Sequence, residues 1–293
     1  MKYKFIWEHF KEFPVSRMCH ALEVAQSGYY KWYRQIHAHI PSARKQADKV
    51  LSEQIERVFV GSRKLYGSPR VHAALKADGV SCSRKRVARL MGTKGLTPRF
   101  KKHKTRTTDS LHNDPIAPNK LNREFEAAAP NHKWAGDITG IWTSEGWLHL
   151  AVILDIYSRM VVGWAMGAQR DGKLVEEALN MALLKRHPQP ELLHHSDRGS
   201  QYTSLSYRAK LEEAGIEISM SRKGDCYDNV LIESFNGTFK SECVDRQSFA
   251  TRSQARSVVF EYLEVFYNRQ RLHSSLGYVA PEIFEKLTVS RPF

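Results

Sequence analysis

Disulfide chemistry is the first thing this sequence does without. Four cysteines in 293 residues, Cys19, Cys82, Cys226 and Cys243, are scattered with no CxxC pair. That argues against a disulfide framework or a structural zinc site and fits a reducing cytoplasm. Apolar runs of membrane-spanning length are missing too, and Met1 to Phe10 lacks the pattern of a secretory signal. There is no internal repeat, no low-complexity tract and no sustained heptad pattern. The length allows two domains and a substantial core.

Acid is scarce in the first half. Residues 1–132 hold 26 Lys and Arg against 11 Asp and Glu, a net of +15; the remainder holds 19 against 20, a net of −1. The whole chain carries +14 at a pI of about 9.6. A field of that sign attracts polyanions by counterion release, and nucleic acid is the usual polyanion.

The basic half reads as helices. Residues 1–60 form an N-terminal helical region with a candidate first helix-turn-helix in "SRMCHALEVAQSGYYKWYRQ". Residues 61–108 repeat the plan more clearly. Pro69 suits a first helical turn, Val71, Ala74 and Leu75 give an apolar side, and Asp78-Gly79 ends the helix. Ser81 or Ser83 can cap the next helix, which carries Arg84, Lys85, Arg86 and Arg89. A helix, a tight turn and a basic second helix are the parts of a helix-turn-helix DNA reader. A basic arm with Lys101, Lys102 and Lys104 follows, suited to phosphates, and residues 109–129 read as a linker.

After about Pro130 the pattern changes. Three strand-like runs with turns near Ser144-Glu145-Gly146 and Tyr157-Ser158-Arg159 predict an antiparallel meander. Leu148 to Leu154 is almost wholly apolar, as a strand covered on both faces should be. Helix, strand, helix and strand alternate from Asp171 to Ser221. The fold class is therefore α/β, a mixed five-stranded sheet flanked by helices, preceded by an all-α region.

Three carboxylates carry the chemistry. Asp197 lies just past the strand Glu191 to His195; Asp137 lies in the first strand. They meet if the first and fourth strands are neighbours. Plotted at 100° per residue, Asn229, Glu233, Asn236 and Lys240 share one helix face, with Leu231, Ile232, Phe235 and Phe239 on another. Three carboxylates suit hard cations such as Mg²⁺ or Mn²⁺, and two such ions can clamp both sides of a phosphodiester. Asp155, by contrast, sits before a turn and reads as structural, and Asp225 and Asp228 read as helix caps. His195 reads as a near-site group and His194 as partly buried; Trp134, Trp142, Trp147 and Trp164 read as core.

The segments "WAGDIT", "LDIYSRMVVGW", "HSDRGSQYTS", "SRKGDCYDNVLIESFNGTFKSE" and "YNRQRLHSSLGYVAPEIF", in that order, give the chain a family resemblance. It resembles the DDE-class transposases with a retroviral-integrase type of core. More narrowly, it resembles the second-reading-frame product of the bacterial group named after insertion sequence 3. Thirty-five residues lie between Asp197 and Glu233, and Lys240 stands seven after the glutamate, as in that family. Arg198 stands where Gln is frequent, and Leu231 where a small residue is often seen.

The resemblance implies an RNase H-like catalytic core over residues 130–270 and a C-terminal tail over 271–293. It implies that Asp137, Asp197 and Glu233 are catalytic and bind two Mg²⁺ ions, with Mn²⁺ able to substitute. The activity implied is cleavage and strand transfer at insertion-sequence ends. Arg198, Lys240, Arg269 and Arg271 join the basic helix and arm as DNA contacts. The implied partners are double-stranded DNA (terminal inverted repeats and target), further copies of the chain in a synaptic complex, and the upstream-frame product or a frameshift fusion with it. The implied place is the bacterial cytoplasm at the nucleoid, with no membrane partner.

Overall fold

The computed structural model describes residues 1–36, 42–98, 116–222 and 226–289. They fall into two compact units, Met1–Pro98 and Arg99–Phe293. Lys101, Lys102 and Lys104 of the expected basic arm, and Asp225, lie outside the described residues. Among the described residues no helix is long and apolar enough to cross a membrane.

The first unit is helical. α1 (Lys2–Glu8), α2 (Val15–Ala21) and α3 (Gln26–Ile36) pack around Ile6, Met18, Cys19 and Tyr29. α4 (Ala43–Gly61), α5 (Ser68–Ala77) and α6 (Arg84–Thr93) contact one another, burying Leu51, Ile55, Phe59, Val71, Leu75, Val87 and Leu90. Their ends follow the sequence signals. Pro69 sits in the first turn of α5, Gly79 behind it takes φ +78°, and Ser83 Oγ accepts the Arg86 N–H to cap α6.

The second unit opens with the expected meander: β1 (Lys133–Thr143), β2 (Gly146–Asp155) and β3 (Val161–Gly167). α7 (Gly172–Arg186), β4 (Leu193–Ser196), α8 (Ser200–Thr203), α9 (Leu205–Glu213) and β5 (Glu217–Met220) follow. Then come α10 (Val230–Phe239), α11 (Arg252–Phe260) and α12 (Pro281–Val289). The sheet order is β3-β2-β1-β4-β5. β1–β2 and β2–β3 are antiparallel; β1–β4 and β4–β5 are parallel. The first and fourth strands are neighbours, as the carboxylate argument requires.

Alternation along β1 sorts the two faces. Trp134 and Ile138 point into a core with Ala151, Ile153, Leu174, Ala178 and Leu211. The opposite face meets α10 and α11, whose Phe239 and Val259 are fully buried. Gly163 lets α7 lie directly on β3: a Cβ there would stand 2.3 Å from the Ala178 carbonyl oxygen and 2.7 Å from Ala182 Cβ. At the edge of β3, the Asn268 side chain imitates a strand, accepting from Val161 N–H and donating to Val161 C=O, both at 3.0 Å.

The described part of the expected linker, residues 116–129, is attached to the sheet. Ser219 Oγ of β5 accepts from the N–H groups of Lys120 and Leu121, and Leu121 is buried. Two of the four tryptophans expected in the core lie outside it. Trp142 and Trp147 pair edge to face at 5.1 Å near the tip of the β1–β2 hairpin, 60% and 50% exposed. They sit past the point where helices cover that face, so alternation no longer implies burial.

Gly163→Ala is expected to push α7 off β3 and lower stability by about 1–3 kcal/mol. A fall in the urea midpoint measures it; an unchanged midpoint would mean that the helix moves at no cost.

Candidate active site

β4 pairs with β1 over four residues, and the register ends with Ser196 opposite Gly136. The next residues along the two strands are Asp137 and Asp197, so the pairing itself sets the two aspartates side by side. Asp197 leaves the strand as a buried residue, and its Oδ1 accepts the Gly199 N–H at 2.9 Å. A side chain at 199 would crowd that carboxylate at 3.0 Å.

Asp137 is held from two sides. Ile138 N–H donates to Oδ1 at 2.8 Å, and Asn236 Nδ2 from α10 donates to Oδ2 at 2.7 Å. Although part of its surface reaches solvent, Asp137 titrates well above the usual carboxylate range, at about 7. Burial is the main cause and the Asp197 charge the second. The Ile138 N–H and the Arg170 guanidinium draw it back down, and Glu233 pushes it further up. Three carboxylates from three separate elements thus act on one point.

Glu233 stands in the first turn of α10 and remains exposed, and partial desolvation raises its carboxyl. The helix face is the one the sequence indicates. Ile232, Phe235 and Phe239 are buried, while Asn236 reaches Asp137. Lys240, half-buried, follows at the C-cap on the same face. The donor set is oxygen only, which fits a hard divalent cation. Among the described residues no three His, Cys, Asp or Glu side chains are arranged to hold a metal ion as they stand.

Both ends of α10 are fixed by buried acids. Asp228, in the 3₁₀ turn Cys226–Asn229, makes no cap to the helix, contrary to the expectation. Its oxygens accept from Asn119 Nδ2, Arg123 Nε and the Arg222 N–H. Beyond the C-terminal end, in the π-helical turn Lys240–Val244, Glu242 accepts from Arg271 Nε at 2.7 Å and NH2 at 2.8 Å, and from the Tyr262 hydroxyl at 2.9 Å. Arg271 is 4% exposed. It was expected on DNA; pairing with Glu242 places it in the interior instead. Arg269 is exposed and lies 3.4 Å from Glu282.

The remaining expected residues divide. Arg198 Nε donates to the Ser221 carbonyl at 2.6 Å, joining the Asp197 loop to the end of β5. His194, expected to be partly buried, is fully so, and His195, expected near the site, is fully buried as well. His194 bonds the Tyr207 hydroxyl and His195 the Ser219 hydroxyl. Burial pushes their pKa values down to about 3 and about 4, so both are neutral. Asp155 is structural, as expected: its carboxylate accepts from the N–H groups of Asn131, Tyr157 and Ser158. In the first unit, Arg84 and Lys85 are exposed, whereas Arg86 and Arg89 hold Asp48 of α4 at 2.7 and 2.6 Å. Arg44, Lys85, Arg86 and Arg89 line an open groove of about 700 Å³.

Sequence reasoning missed Arg170 and Tyr202. Tyr202 is fully buried, and its hydroxyl feels both aspartates. No spacing rule marks either residue: Arg170 joins the site from the crossover between β3 and β4, and Tyr202 from α8 just past β4.

Residues 127–226 and 214–281 each match an integrase core domain family, and residues 45–104 an HTH-like domain family. An insertion element IS600 uncharacterized 31 kDa protein of Shigella sonnei is 45% identical, covering 92% of this chain and 97% of that protein. The transposase InsF for insertion sequence IS3A of Escherichia coli (strain K12) is 40% identical over 97% of this chain and 98% of its own length. Among solved structures, a simian T-cell lymphotropic virus intasome with PP2A regulatory subunit B56 gamma is 16% identical at TM-score 0.46, covering 75% of this chain and 72% of that one. The HTLV-2 integrase catalytic core domain in complex with magnesium, trimeric form, is 16% identical at TM-score 0.42, covering 54% and 99%.

Arg271→Ala leaves Glu242 buried without its cation and is expected to cost about 3–5 kcal/mol of stability. Thermal unfolding checks it. A stable variant with weakened DNA binding would return Arg271 to the DNA surface.

Proposed function

Given that the chain belongs to the insertion-sequence transposases with an integrase catalytic core, we propose that it cuts DNA at the ends of an insertion sequence and joins the freed 3′-hydroxyl to target DNA. Both steps are in-line phosphoryl transfers at one site. The observation that carries this reading is the β1–β4 register, which sets Asp137 beside Asp197, with Asn236 of the Glu233 helix bonded to Asp137 at 2.7 Å; burial first, then Asp197 and Glu233, push the Asp137 carboxyl up. Acids crowded in this way suit a site that works with cations.

Asp137, Asp197 and Glu233 would hold two Mg²⁺ ions, and Mn²⁺ would serve in their place. Such ions, when bound, activate a water or 3′-hydroxyl and neutralise the departing oxygen. The chain's own part is to position. The Gly199 N–H fixes one aspartate, and Asn236 and the Ile138 N–H fix the other. Lys240, on the Glu233 face, is placed to hold a phosphate. No side chain is needed as a covalent nucleophile.

DNA grip belongs to the helical unit. α6 presents Arg84 and Lys85, and the groove beside it adds Arg44. The arm with Lys101, Lys102 and Lys104 would extend that grip, and Arg198 and Arg269 would add contacts near the core. Bringing two ends together requires more than one copy of the chain, and the upstream-frame product or a fusion with it is a further partner. The chain acts on DNA in the bacterial cytoplasm, at the nucleoid.

Two outcomes test this. Asp137→Asn, Asp197→Asn and Glu233→Gln should each lower cleavage and strand transfer on a pre-cleaved end by on the order of 10³-fold while DNA binding persists. Cutting without joining by the wild type would make the protein a nuclease; wild-type function in the variants would leave it a DNA-binding regulator. Arg84→Ala and Lys85→Ala should each weaken binding to all sequences and flatten the log K against log salt plot by about 0.9. An unchanged slope removes α6 from the interface.

A further inference from the structure

Among the described residues, Arg170 and Arg159 are the two arginines with a buried guanidinium nitrogen that has no partner, and Arg170 is the one beside the Asp197 loop. It follows β3 and immediately precedes Asp171, whose side chain caps α7 by accepting the Leu174 N–H at 3.0 Å. Gln201, four residues past Asp197, donates to the Arg170 carbonyl at 3.0 Å. The backbone at 170 is thereby fixed to the loop that carries a catalytic aspartate. The side chain is half-buried, and its Nε lies out of contact with solvent with no hydrogen-bond partner.

An orphaned guanidinium nitrogen is unusual. Buried donors are paired in the great majority of cases, and an unpaired one destabilises the fold. Arginine presents a planar fork of donors matched to phosphate. The backbone places residue 170 at the site: Gln201, which holds its carbonyl, shares the short loop in which the Gly199 N–H holds Asp197. The Arg170 charge draws the Asp137 carboxyl down, and it also acts on Tyr202 and on His149 of β2. Asp137 lies on β1, Tyr202 on α8 and His149 on β2.

We propose that Arg170 is a DNA-phosphate-binding residue of the active site, its unpaired Nε–H donating to a backbone phosphate held against Asp137 and Asp197. This rests on the transposase reading above. It adds a fixed cation from the crossover side of the site, opposite α10 with its Lys240. The bound strand is then gripped from both flanks. The backbone at 170 is already held by Gln201 and the α7 cap, so only the side chain has to turn for its Nε–H, now out of solvent, to meet the phosphate.

The full chain, with Mg²⁺ and a pre-cleaved end of its own element, supplies the test. Arg170→Gln should slow strand transfer by about 10²-fold and reduce the slope of log K against log salt by about 0.9. Arg170→Lys keeps the charge and loses the Nε donor, so it should restore the salt slope but not the rate. A neutral methylphosphonate, moved one position at a time through the phosphates flanking the joint, should weaken wild-type binding at one position. At that position it should not weaken Arg170→Gln further. A wild-type salt slope in Arg170→Gln, accompanied by a shift in its Mg²⁺-dependent melting, would show that Arg170 only balances the carboxylates and would overturn the proposal. If Arg170→Gln does not fold, Arg170→Lys decides: joining at the wild-type rate also overturns it. Failure of the wild type itself to join ends would refute the transposase reading instead, a separate result.

Discussion

A short parallel pairing governs this molecule. β4 runs beside β1 for four residues and stops, and the residue after the last paired position on each strand is an aspartate. Strand pairing brings two acids together that burial and Coulomb repulsion would otherwise keep apart. The surroundings offset that cost with the donors nearest to hand. These are two backbone N–H groups, the Asn236 amide and the charge of Arg170.

The third acid depends on a different device. α10 carries Glu233, and its apolar side packs on the sheet, but apolar packing alone tolerates small rotations. Buried acids beyond both ends remove that freedom. Asp228 is fastened to the segment before β1 and Glu242 to Arg271 near the end of the chain. Buried ion pairs contribute little net stability, yet they tolerate few alternative geometries. Here they set which way a helix face points.

Charge is divided along the same lines as structure. The unit that carries the helix-turn-helix holds most of the positive excess, while the catalytic unit is close to neutral. On the proposed reading, DNA would then be attracted strongly without a general positive field weakening the acids' hold on cations. Near the three acids stand Arg170, Arg198 and Lys240, each from a different segment.

Local pattern was enough for much of this. The strands of the meander, the capped helices on either side of Gly79 and the polar face of α10 follow from periodicity and end signals, because those depend on neighbours within a few residues. The three carboxylates were legible because strand ends and helix faces can be counted. The sequence could not say that Arg271 would find Glu242, 29 positions away, and turn inward. Nor could it say that Trp142 and Trp147 would outrun the helices that cover their face, or that Asp228 would bind the segment before β1 rather than cap α10. Arg170 was invisible for the same reason. Its role depends on which carboxylates the crossover brings near it, and only long-range packing fixes which charges meet in a medium too poorly solvated to screen them.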